Sequence, residues 1–179
     1  STVGGARDRS YSGSIVFVFK ASDCRRSISG AAAAEMSKSG VSNTICVLNC
    51  ADASCTVTSE LIQELSAYGE IARLDTSMIT VLKSIFVTYF DVRCTLMALA
   101  DRADITEPFP AAEHDFRGVR LDVSSPAAKA GIVYGFGQFG EVASVAMEQG
   151  ELVVEFYDMR AAQRLLSACG PGAAPQLAR

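Results

Sequence analysis

Two stretches of this chain follow one grammar. ELSAYGEIARLDT (64–76) and GFGQFGEVASVAM (135–147) each run through an aromatic residue, Gly-Glu, an aliphatic residue and an alternating tail. Tyr68-Gly69-Glu70-Ile71 thereby lies over Phe139-Gly140-Glu141-Val142, at an offset of 71. Further on, SIFVTYFDVRCTLMALA (84–100) lies over ELVVEFYDMRAAQRLLS (151–167) at an offset of 67, with Phe90-Asp91-Val92-Arg93 over Tyr157-Asp158-Met159-Arg160. The difference between the offsets falls between two strands, where a hairpin loop shortens freely. A chain of 179 residues has room for one medium domain or two small ones, and either buries a core without disulfide staples. The repeat selects two small units built to one pattern.

Each unit can be read for its elements. In the first, TICVLN (44–49) is a strand, and VTSELIQELSAYG is a helix with Thr58 or Ser59 as N-cap and Leu61, Ile62, Leu65 and Tyr68 along one face. Gly69 is expected to stop that helix by taking a positive φ. IARLDTSM and LKSIFVTYF read as strands two and three, and a helix starting near Asp91 buries Val92, Leu96 and Leu99. GVRLDV (118–123) is either the fourth strand of unit one or the first of unit two. In unit two, SSPAAKAGIVYGF reads as a helix, EVASVAM as a strand, and the last helix buries Met159, Ala162, Leu165, Leu166 and Cys169. The order β-α-β-β-α-β predicts an α+β fold: two ferredoxin-like units, each a four-stranded antiparallel sheet with two helices on one face. The expected organisation is a disordered lead-in over 1–13, an extra strand and helix over 14–41 that could belong to a further unit, unit one over 42–124, an incomplete unit two over 118–172 and a tail over 173–179.

The same residues admit other readings, and these fail on what surrounds them. GFGQFGEV (135–142) matches the glycine loop that covers ATP phosphates in protein kinases. No lysine follows it, only 37 residues remain after Val142, and no magnesium-binding Asp-Phe-Gly appears. A dinucleotide loop needs a strand before the glycines and a helix after them, and the order here is reversed. Six cysteines are irregularly spaced and partly inside apolar runs, as reduced thiols are. Cys46, Cys50 and Cys55 lack a second pair, and the one histidine, His114, sits in a Pro-containing stretch, so no metal or other cofactor is expected. The carboxylates are scattered and no nucleophile has a base set beside it by any motif, so no enzymatic activity is expected. No apolar run is long enough to span a membrane, and STVGGARDRSYSGS lacks the layout of a secretory signal; a nuclear or cytoplasmic location is expected.

Both units resemble RNA-recognition motifs (RRMs), in which an aromatic-Gly-Glu-aliphatic string joins the first helix to strand two and a Phe-Val-x-Tyr-like strand three leads into a helix. The strings YFDVR and FYDMR, directly after strand three in both copies, resemble the tandem N-terminal RRMs of Mei-two-like RNA-binding regulators in particular. The resemblance implies a protein of mRNA metabolism that stacks bases of single-stranded RNA on aromatics of its central strands. Several of those positions are altered. Cys46 replaces the strand-one aromatic in Ile45-Cys46-Val47-Leu48-Asn49-Cys50. Ser84 replaces the first outward aromatic of strand three, whereas Phe86 keeps the second. In unit two, Glu151 and Val153 stand where bases would stack. With a net charge of −4, phosphate neutralisation can act only through a local patch. RNA contact is therefore expected to be weak or non-canonical, through Phe86, Lys83, Ser84, Cys46, Asn49 and nearby Arg73, Arg93 and Arg120. The alternative partner is a protein, bound by degenerate RRMs that have little use for RNA, and the two units could also contact each other.

Overall fold

The computed structural model describes residues 41–49, 57–110 and 117–169. The lead-in, the extra strand and helix apart from Val41, Cys50, Cys55, His114 and the tail lie outside the described residues. Strand β1 (Val41–Val47) is followed by α1 (Ser59–Ser66), β2 (Ile71–Asp75), a short α2 (Ile79–Leu82), β3 (Ile85–Tyr89), α3 (Val92–Asp101) and β4 (Thr106–Pro110). All pairings are antiparallel and the sheet order is β2-β3-β1-β4, the split βαβ arrangement. The second half runs β5 (Gly118–Asp122), α4 (Pro126–Tyr134), β6 (Val142–Glu148), β7 (Glu151–Phe156) and α5 (Met159–Cys169), with sheet order β5-β7-β6. The fold is α+β with antiparallel sheets. Among the described residues the second sheet has three strands where four were expected.

Local chemistry accounts for these elements. The Thr58 hydroxyl accepts from the Leu61 amide at 3.3 Å, Asp91 accepts from the Arg93 amide at 2.8 Å, and Ser125 accepts from the Ala128 amide at 3.2 Å with Pro126 in the first helical turn. Each satisfies a donor that a helix start leaves open. Strict alternation in β3 buries Ile85, Val87 and Tyr89 and turns Phe86 and Thr88 to the other face. Tyr89 is fully buried and donates its hydroxyl to the Leu65 carbonyl at 2.9 Å, tying β3 to α1. Unit two repeats the plan, with Val119, Leu121, Val154, Phe156 and Leu165 at the centre of its core.

One open alternative is resolved and other expectations change. GVRLDV belongs to the second sheet, as β5 paired with β7, and the strand that closes the first sheet is Thr106–Pro110, in the stretch read as a Pro-containing loop. Its prolines are tolerated because β4 is an edge strand and leaves one side of its backbone unpaired. The link between β2 and β3 contains α2, whose Ile79 is buried in the core. Gly69 does not have a positive φ. It is a glycine because a Cβ there would sit 2.2 Å from Cys94 Sγ on α3. Gly140 does not end α4 either; Gly135 does, at φ +81, with its amide on the Gly131 carbonyl. A Cβ on Gly140 would lie 2.5 Å from the Cβ of Ala161 on α5.

The two repeat glycines thus mark the same crossing, a chain passing directly over the second helix of its unit. Gly140→Ala is expected to cost about 1–3 kcal/mol through overpacking. Gly69→Ala is expected to cost less, since a thiol can rotate aside and a methyl cannot. A Cβ on Gly137 meets nothing within 4 Å, so Gly137→Ala should stay within about 0.5 kcal/mol. Urea unfolding of the three variants checks this order, and equal midpoints for Gly137→Ala and Gly140→Ala would contradict it.

Candidate nucleic-acid interface

The face of the first sheet opposite the core carries Thr44 and Cys46 from β1, Arg73 and Asp75 from β2, Phe86 and Thr88 from β3, and Glu107 and Phe109 from β4. Register brings them together: Thr44 pairs with Thr88, Cys46 with both Phe86 and Glu107, Asp75 with Phe86, and Arg73 with Thr88. Six of these residues, Thr44, Arg73, Asp75, Phe86, Thr88 and Phe109, line an open concavity of about 130 Å³. The Phe86 and Phe109 rings meet edge to face, with centroids 4.9 Å apart and planes at 68°, an arrangement aromatic quadrupoles favour. The Thr44 and Thr88 hydroxyls bond across the strands at 2.9 Å.

The electrostatics of this face lean acidic, with one arginine, Arg73, against two carboxylates, Asp75 and Glu107. Arg73 donates to Asp75 at 2.7 Å. Hydrogen bonds from the Ser77 amide and hydroxyl hold the Asp75 carboxyl below its ordinary range, with the Arg73 charge adding to them. Asp75 stays ionised at neutral pH, so its partner arginine is already largely neutralised. The Cys46 thiol is pushed up by burial, opposed by a hydrogen bond with Ser84 and reinforced by the Glu107 charge, which keeps it neutral. The face therefore offers two aromatic rings, hydroxyls and a carboxylate able to accept from a base edge, with little net cation for phosphate.

The other residues singled out in the sequence fall elsewhere. Ser84 is buried and donates its hydroxyl to the Leu82 carbonyl at 3.0 Å, so it is a fold residue beside Cys46. Lys83 ends α2 in the left-handed region at φ 53, and Asn49 turns the chain after β1 at φ 50. Arg93 stands at the start of α3, on Asp91 and Glu141, away from the sheet face. Arg120 lies on the second sheet between Glu148 at 2.7 Å and Glu151 at 3.8 Å. That sheet presents Glu151 and Glu155 from β7, with Val153 between them buried, and Glu155 is held by the Ser144 hydroxyl at 2.9 Å. The outward positions of its three strands carry no aromatic ring. Phe109 was missed because its strand was read as loop; an aromatic between two prolines at the spacing of a short edge strand was the available signal.

Among the described residues no group of three or more His, Cys, Asp or Glu side chains is placed to hold a metal ion, and Cys46, Cys94 and Cys169 form no disulfide. No helix among them is long and apolar enough to cross a membrane. No family model and no curated protein matches the chain. Among solved structures, a chain of a Sxl-lethal protein/RNA complex matches with a TM-score of 0.31 and 14% identity, over 75% of this chain and 95% of that one. The fold description rests on the strand order given above.

The raised pKa of Cys46 has a readable consequence. A smaller thiolate fraction at pH 8 should make its alkylation by iodoacetamide, followed site by site by mass spectrometry, slower than that of an unstructured cysteine peptide. Equal or faster labelling of Cys46 would contradict the half-buried, carboxylate-flanked thiol.

Proposed function

We propose that this chain is an RNA-binding regulator of the RRM type, without catalytic activity, that holds single-stranded RNA in the nucleus or cytoplasm through one sheet rather than two. The observation that carries this reading is the Phe86–Phe109 pair over the concavity of the first sheet. Stacking contributes about 1–3 kcal/mol per base, so two rings supply roughly 2–6 kcal/mol, which alone corresponds to a Kd from tens of millimolar to tens of micromolar. With Arg73 already paired, few counterions are released, and the salt dependence should be shallow. A role in mRNA metabolism, like the Mei-two-like character of the YFDVR and FYDMR strings, belongs to this reading through the resemblance.

A second reading, a protein-binding module, is favoured by one comparison between the units. Leu61, Ile62 and Leu74 pack on the core of unit one. Their counterparts at offset 71, Ile132, Val133 and Val145, are 59%, 70% and 52% exposed. Exposed aliphatic side chains of this kind can mark interaction sites.

Fluorescence anisotropy with a pool of random single-stranded RNA, at low and high salt, separates the two. The RNA reading expects weak binding that Phe86→Ala and Phe109→Ala each reduce by about five- to a hundredfold and that Arg120→Ala leaves unchanged. No binding at protein concentrations up to about a millimolar and at low salt would leave the protein-binding reading in its place.

A further inference from the structure

The strings YFDVR and FYDMR touch each other. Asp91 and Asp158 form an antiparallel bridge between the units, with the Val92 amide on the Tyr157 carbonyl and the Met159 amide on the Phe90 carbonyl, both at 3.0 Å. The Arg93 guanidinium is held by its own Asp91 at 2.6 Å, lies over the Tyr157 ring at 4.6 Å and donates to Glu141 at 2.9 Å. Arg160 does the same in reverse: held by Asp158 at 2.6 Å, over the Phe90 ring at 4.3 Å, and donating to Glu70 at 2.7 Å. Every contact has its mate under exchange of the two repeats. That is the property of an isologous interface, in which one patch is complementary to itself.

We propose that the aromatic-Asp-aliphatic-Arg string, with the glutamate of the aromatic-Gly-Glu string, is a self-complementary docking element whose partner is a unit carrying the same two strings. In this chain the partner is the other repeat, and the docking fixes the two sheets as one body. Three features support it. Each arginine is pre-oriented by the aspartate two residues before it, which also caps its helix, so little side-chain freedom is lost when the contact forms. Each guanidinium then uses its flat face on an aromatic ring and its free edge on a carboxylate, and a lysine could not do both. Val92 and Tyr157, 4% and 9% exposed, exclude water from the centre, with Ala143 packed against them. Burial and hydrogen bonding of this kind make a guanidinium contact worth more than an exposed ion pair.

The test is a set of residual dipolar couplings on the full chain. In the wild-type protein, couplings from 57–110 and from 117–169 should fit a single alignment tensor. Glu70→Arg with Glu141→Arg sets like charges against Arg160 and Arg93; the couplings of each unit should still fit its own coordinates, but with two different tensors. The milder pair Glu70→Gln and Glu141→Gln serves if the first misfolds, and should raise the separated population roughly a hundredfold, about tenfold for each of the two contacts weakened. Separate tensors in the wild type, or an unchanged single tensor in the folded variants, would overturn the proposal. So would a wild-type dimer in sedimentation that Glu70→Arg with Glu141→Arg abolishes, since the strings would then pair between two copies.

Discussion

The close approach at Gly69 and Gly140 organises each unit. At both places the chain leaves its first helix and crosses the second so tightly that a side chain would strike Cys94 or Ala161. The crossing starts the second strand and fixes where the next residue, Glu70 or Glu141, leaves the backbone. Those two carboxylates are the ones that meet the arginine of the opposite repeat. A packing constraint internal to one unit thus positions the charge by which the units dock, and the same glycine-glutamate pair serves both purposes.

Beyond that shared frame the two sheets have diverged in what they present. The first keeps two aromatic rings against each other above a shallow hollow, with Arg73 and Asp75 on one side and the bonded Thr44 and Thr88 hydroxyls on another. The second closes its face with local pairs, Arg120 against Glu148 and Glu151 and Ser144 against Glu155. An arginine satisfied by two carboxylates has little left for a phosphate, and a carboxylate where a base would stack repels one. The two sheets therefore differ: one leaves a pair of aromatic rings open, and the other closes its face with local ion pairs and hydrogen bonds.

Much of this was legible because periodicity and repetition are local properties. The alternation in Ile85–Tyr89, a cap at Thr58 or Ser59, a helix starting near Asp91, and the burial of Leu96 and Leu165 follow from spacing and residue type alone. The place of Phe86 on the open face followed from the same alternation. What the sequence hid depended on neighbours. Prolines at 108 and 110 argue against a strand unless that strand is known to lie at an edge. Gly69 looked like a helix stop, since nothing in a string of letters shows Cys94 passing beneath it. The repeated Asp-x-Arg was visible as a pattern, but its meaning lay in pairing with its own copy across the chain.

The central claim is that RNA contact belongs to the face of the first sheet. Backbone amide chemical shifts followed during titration with a short single-stranded RNA test it most directly. The account predicts the largest changes at Cys46, Arg73, Phe86, Thr88 and Phe109, with Arg120, Val153 and Glu155 unmoved. Changes centred on the second sheet, or none on the first at saturating RNA, would contradict it.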